Sequence, residues 1–259
     1  MFKPFDLAGK TCLVTGGSRG IGYAMADTLA MAGADVILWA NHEKSLSSAA
    51  ENLRKHGRKV WARLVDVSVE QDVVAAMEEL STYCPHLDGV IASAGIGPRQ
   101  GKISDVTSAD FSRVFNVNVN GTVWTLREAC KILIKQARAG RPGGSLVGLA
   151  SLAGRFGAPY YPAYASSKAA VEALMKTIAV EMARYGVRAN AVMPGWIATD
   201  MTLPFQEDPA IAERFITRIP MRRWGRPEEL GGLAIYLMSD ASSYHSGDTI
   251  VVDGAYSAC

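Results

Sequence analysis

Apolar residues in this chain alternate between two textures. Short, nearly continuous apolar runs are each followed by a longer stretch whose apolar positions recur at helical spacing. TCLVT (11–15) precedes a helix-like stretch over 20–31, and DVILWA (35–40) precedes KSLSSAAENLRKH (44–56). KVWARLVD (59–66) precedes EQDVVAAMEELSTY (70–83), and LDGVIAS (87–93) precedes one long stretch over 109–137. GSLVGLA (144–150) leads into a helix around Tyr164, and VRANAVMP (187–194) and DTIVVD (248–253) supply two further strands. Strands that are apolar throughout and alternate with helices predict a parallel sheet covered on both faces. Nothing interrupts the rhythm as a linker, so one α/β domain over 1–259 is expected. One insertion stands out at about 196–226, and long connections in compact domains are usually functional. Ligands of such sheets bind beyond the carboxyl ends of the strands.

Composition narrows the partners. The chain has 259 residues, 49% of them hydrophobic, with 27 basic and 25 acidic side chains and a formal net charge of +2. That balance gives no reason to expect a nucleic-acid partner. No apolar run reaches the roughly 20 residues of a membrane helix. The opening MFKPFDLAGK lacks the apolar core of a signal peptide. Cys12, Cys84, Cys130 and Cys259 are widely separated, as expected of reduced thiols in a cytoplasmic protein. The four histidines show no metal-ligand spacing, so no metal is expected.

Three places carry candidate chemistry. After the first strand, VTGGSRGIG sets Gly16, Gly20 and Gly22 in a G-x-x-x-G-x-G turn. Glycines allow a tight turn and close backbone approach to a phosphate, and the following helix aims its N–H groups at that phosphate. A purely structural strand-to-helix turn would look similar, but its place after the first strand of an alternating chain favours a dinucleotide. The second strand ends Leu38-Trp39-Ala40-Asn41, with no carboxylate to accept from a ribose 2′-hydroxyl or to repel a 2′-phosphate. Arg19, inside the turn, can reach that phosphate, so NADP is favoured over NAD.

The third feature is PYYPAYASSKAAVEAL (159–174), where Tyr164 and Lys168 are four apart and share one helix face. An arbitrary Y-x-x-x-K is ordinarily a packed phenol beside a solvated ammonium. Here Ser151 ends the fifth strand and could bond the same substrate oxygen. A neighbouring ammonium would lower the phenol pKa from its usual value near 10 and make it a proton-transfer group.

With these residues in view, the sequence resembles the short-chain dehydrogenases/reductases, along nearly its whole length from TGGSRGIG to IVVDGAY. The resemblance implies a doubly wound, Rossmann-type parallel sheet and hydride transfer between a nicotinamide cofactor and a ketone or secondary alcohol. The family's catalytic serine, tyrosine and lysine fall on Ser151, Tyr164 and Lys168. Its catalytic asparagine, in a V-N-x-x-G context, falls on Asn118. Tyr164 is then general acid or base, Lys168 tunes it and holds the ribose, Ser151 polarises the substrate, and Asn118 holds a relay water. The implied cofactor contacts are Thr15, Gly16, Ser18, Arg19, Gly20, Ile21, Gly22, Asn41, Asp66, Val67, Ala94, Gly95, Tyr164, Lys168, Pro194, Gly195, Ile197 and Thr199. Two departures are visible: N-N-A-G is ASAG at 92–95, and D-G-G is DGA at 253–255. The other class weighed is a sensor that binds cofactor without turnover, which loss of Ser151, Tyr164 or Lys168 would have signalled. Ile96, Gly97, Phe156, Tyr161, Trp196, Met201 and Phe205 are candidate substrate contacts, mostly apolar. Members similar in general pattern are 3-oxoacyl-carrier-protein reductases and sugar or polyol dehydrogenases. The resemblance also implies a homotetramer built through the helix carrying Asn118, the helix following Tyr164 and the C-terminal strand.

Overall fold

The computed structural model describes residues 3–97 and 101–259. Its chain alternates β1 (Thr11–Thr15), α1 (Gly20–Met31), β2 (Asp35–Ala40), α2 (Glu43–Arg54), β3 (Val60–Leu64), α3 (Glu70–Tyr83) and β4 (Gly89–Ala92). It continues through α4 (Ser108–Phe115), α5 (Gly121–Arg138), β5 (Gly144–Leu149), α6 (Pro162–Met182) and β6 (Val187–Pro194). The short α7 (Leu203–Gln206) and α8 (Pro209–Ile216) lie in the insertion, followed by α9 (Gly231–Met238) and β7 (Thr249–Val252). All strand pairs are parallel, in the order β3-β2-β1-β4-β5-β6-β7. The order reverses between β1 and β4, and that switch point opens a crevice at their carboxyl ends.

The unbroken apolar strands follow from burial on both faces. Leu13, Ile37 and Trp39 point into the layer with α3, α5 and α6, while Cys12, Val14, Val36 and Leu38 point into the layer with α1, α2 and α9. Each fully buried leucine or isoleucine here contributes about 1.5–3 kcal/mol relative to exposure. No helix among the described residues is long and apolar enough to cross a membrane.

The helical stretch expected as one piece over 109–137 is interrupted. Asn116–Asn120 forms a π-helical turn between α4 and α5. Such a turn accommodates one extra residue without breaking the axis, so apolar periodicity does not report it. It turns Asn118 fully inward. The start of α5 is held against β3's outlet by Gly121, where a Cβ would lie 2.7 Å from Val67 Cγ2 and 2.9 Å from Val67 O. Only glycine permits that approach, which brings the π turn beside the carboxyl end of β4.

Candidate active site

The glycine turn leaves β1 with Gly16 at φ +64° and Gly20 at φ +57°, both in the left-handed region. A Cβ at Gly16 would lie 2.8 Å from Ala94 Cα, and one at Gly22 would lie 2.4 Å from Gly16 O. The turn is thus closed on itself and on the 92–95 loop. Arg19 is the N-cap of α1 but makes no side-chain cap, and the first turn of α1 holds no acidic residue. The positive end of α1 therefore opens onto a cavity of about 480 Å³. The loop ASAG is steadied without the two asparagine amides: Thr15 Oγ1 accepts from Ala94 N at 3.1 Å, pinning it to β1.

Tyr164, Lys168 and Ser151 line the same cavity. Ser151 follows β5 and its Oγ accepts from Ala153 N at 3.2 Å, which fixes the hydroxyl at the strand end. Its hydroxyl also acts on the Tyr164 phenol, favouring the charged form. Pro162 in the first turn starts α6 and sets Tyr164 and Lys168 one turn apart on its inner face. Lys168 is buried, donates to Leu149 O at 2.7 Å and lies 5.8 Å from the Tyr164 ring centroid.

The electrostatics differ from the sequence expectation. Burial raises the Tyr164 pKa, and the Ser151 hydroxyl pulls it only partly back. Tyr164 keeps some exposure to the cavity, so water there softens the rise without reversing it. Lys168 does not supply the expected lowering, because its ammonium is aimed at the Leu149 carbonyl. Burial also disfavours that charge and lowers the Lys168 pKa to about 8.

Asn118 lies behind the cavity lining. Its Oδ1 accepts from Ile96 N at 2.8 Å, and its Nδ2 donates to Ile96 O and Ser167 Oγ, both at 3.1 Å. Both amide hydrogens are engaged, so the side chain has no donor left for the relay water expected of it. Its backbone carbonyl accepts from Thr122 Oγ1 at 2.8 Å. A Cβ at Gly95 would fall 3.3 Å from Asn118 Oδ1 and 3.4 Å from Lys168 Nζ, so the bare backbone of Gly95 fills the gap between them.

Residues 16–257 match the family described as Enoyl-(Acyl carrier protein) reductase. The 2-dehydro-3-deoxy-D-gluconate 5-dehydrogenase of Bacillus subtilis is 36% identical over 97% of this chain and 96% of its own. The sorbose reductase of Schizosaccharomyces pombe is 37% identical over 99% of both chains. Among solved structures, a gluconate 5-dehydrogenase from Burkholderia cenocepacia in complex with NADP and tartrate superposes with a TM-score of 0.93 at 30% identity, covering 99% of this chain and 98% of that one. The chain belongs to the short-chain dehydrogenase/reductase family. As a member it is an oxidoreductase that uses a nicotinamide cofactor and a small-molecule substrate.

The residues present fit a dinucleotide. An uncapped helix N-terminus, a glycine turn that tolerates no Cβ at Gly16 or Gly22, and a cavity within the usual range of about 300–1,000 Å³ are what a bound pyrophosphate needs. Gly16, Ser18, Arg19, Gly20, Ile21, Gly22, Asn41, Asp66, Val67, Ala94, Gly95, Pro194, Gly195, Ile197 and Thr199 all line the same cavity. Thr15 does not; its hydroxyl is buried in the bond to Ala94. At the far end, Gly195 is pressed against the C-terminal turn, where a Cβ would meet Asp253 Cβ at 2.6 Å. Of the substrate candidates, Ile96, Gly97 and Met201 line the cavity. Trp196, Phe205 and Tyr161 instead join Phe215 and Trp224 in an aromatic cluster, Trp196 packing on Phe215 at 4.0 Å between centroids. Phe156 is 44% exposed and outside the lining.

Sequence reasoning missed Ser167. It is fully buried, donates to Tyr164 O at 2.7 Å and accepts from Asn118 Nδ2, joining the π turn to the helix that carries Tyr164. Its spacing three residues after Tyr164 and one before Lys168 put it on the inner face, and that was the available signal.

Proposed function

We propose that this oxidoreductase is an NADP-preferring reductase and dehydrogenase of the sugar or sugar-acid class, interconverting a ketone and a secondary alcohol. The observation that carries this reading is the convergence of Ser151, Tyr164 and Lys168 on the cavity that the glycine turn before α1 also lines. The chemistry supplied by the bound cofactor is hydride donation or acceptance. Tyr164, held as a neutral phenol, gives its proton to the substrate oxygen in reduction and takes it back in oxidation. Ser151 donates to the same oxygen and orients it. Lys168 holds the ribose hydroxyls, which keeps its ammonium in the cavity that Tyr164 lines. Asn118 is a positioning residue, fixing the Ile96 backbone and, through Ser167, the backbone of Tyr164. The remaining cavity residues named above hold the dinucleotide, and the insertion over 196–226 covers the substrate.

The NADP preference rests on the uncharged end of β2 at Trp39, Ala40 and Asn41 and on Arg19 in the cavity wall. The NADP-bound gluconate 5-dehydrogenase similar to this chain supports it. The substrate class is supported by relatives that act on 2-dehydro-3-deoxy-gluconate and sorbose. A homotetramer is proposed as well, because β7 is an edge strand whose four residues are only half covered and Val180 on α6 is 81% exposed. Initial rates of NADPH oxidation with ketoses, keto-aldonates and β-keto thioesters test the substrate reading. Turnover of a ketose or keto-aldonate is expected, and turnover of the thioester alone would overturn it.

A further inference from the structure

Three consecutive residues of the insertion reach across the cavity. Thr199 lies over the glycine turn, where a Cβ at Gly20 would be 3.5 Å from its Cγ2. Met201 lies over Gly97, where a Cβ would be 3.4 Å from its Cγ. Between them, Asp200 Oδ2 accepts from Arg19 Nη1 at 3.4 Å. The strap is held in shape by Thr202, whose Oγ1 accepts from Thr199 N at 3.0 Å and donates to Ile197 O at 2.7 Å. The charged residues among the described cavity lining are Arg19, Asp66, Lys168 and Asp200. Lys168 is directed at Leu149 O, and Asp66 Oδ1 accepts from Ser68 N and Oγ. The Arg19 guanidinium is therefore the cation at the open end of the cavity, and a carboxylate on the insertion already faces it.

We propose that Asp200 is a specificity-determining residue for the cofactor, competing with the nucleotide 2′-phosphate for Arg19. This rests on the reading of Arg19 as the phosphate-facing cation. A phosphate at Arg19 meets the Asp200 carboxylate as a like charge, so Asp200 opposes a phosphorylated ribose and leaves an unphosphorylated one untouched. Both side chains of the pair are 74% exposed. An exposed pair of this kind changes an affinity by only about two- to fivefold. Asp200 thus trims the preference for NADP rather than abolishing it, and it links the phosphate to the strap that crosses the cavity.

The test is calorimetric titration of NADPH and NADH into wild-type enzyme, Asp200→Asn, Arg19→Ala and the double variant. Asp200→Asn is expected to bind NADPH about two- to fivefold more tightly with NADH affinity unchanged. That gain should disappear in the Arg19→Ala background and shrink with added salt. Unchanged or weaker NADPH binding by Asp200→Asn, while Arg19→Ala weakens NADPH, overturns the role of Asp200 and leaves the NADP reading standing. NADPH binding unaffected by Arg19→Ala overturns both. An equal gain for NADH and NADPH would show that the substitution acts on the strap alone and overturns the competition.

Discussion

Lys168 is a buried ammonium held by one carbonyl, an arrangement that favours function over stability. Its usual pKa near 10.4 falls to about 8 in the folded chain. Below about 8 it is charged in both folded and unfolded states, and the folded protein carries the full cost of burying it. Between about 8 and 10.4 the folded state releases the proton first, so stability gains as pH rises through that window. Lys168→Met is therefore expected to abolish turnover yet stabilise the cofactor-free protein at neutral pH. The gain is roughly 1 kcal/mol, or about 2–4 °C in Tm. That advantage over wild type narrows above about pH 8, which thermal melts across pH follow directly. A fall in Tm at neutral pH would show that the bond to Leu149 outweighs the burial. The motif residues were legible because each sits just after a strand or at helical spacing. Ser167 was not, because its role depends on a partner, Asn118, that lies 49 residues away in sequence.

Among the elements, strand identities and most helix bounds were written in the alternation of apolar runs, since burial on both faces leaves an unambiguous signal. The π turn at Asn116–Asn120 was illegible, because the apolar pattern runs through it unbroken. The helices α7 and α8 were equally hidden: they are short and held by the aromatic cluster around Trp196 rather than by a long amphipathic stripe. Ser167→Ala would leave one hydrogen of the Asn118 amide unpaired in the core. A loss of about 1–3 kcal/mol in denaturant unfolding is expected, together with reduced kcat. The C-terminal turn holds Ala255 at φ +69°, where the departure from D-G-G places a Cβ in the left-handed region. The strain of about 1–2 kcal/mol outweighs the entropy cost of glycine, about 0.5–1 kcal/mol. Ala255→Gly should therefore raise stability modestly, and an unchanged or lower denaturant midpoint would count against strain at this position.

For the molecule as a whole, the strand order brings together residues that are far apart in the chain. The glycine turn follows β1, Gly95 follows β4, Ser151 follows β5 and Gly195 follows β6, and all four open on one crevice. The predicted doubly wound sheet is the observed one, and the switch point between β1 and β4 explains why chemistry collects there. The proposed homotetramer belongs to this scale. Light scattering at micromolar concentration should give four times the 27.7 kDa chain mass, and a monomeric mass would remove the proposal.

The central claim is that Tyr164 is the proton-transfer group in a cavity where the other lining residues supply most of the hold on the nicotinamide cofactor. The most direct measurement is turnover and NADPH titration of Tyr164→Phe, which keeps the ring and removes the proton. A fall in kcat of about 10²–10⁴-fold, with NADPH affinity close to wild type, is the expected result. Turnover near wild type in that variant would contradict the mechanism.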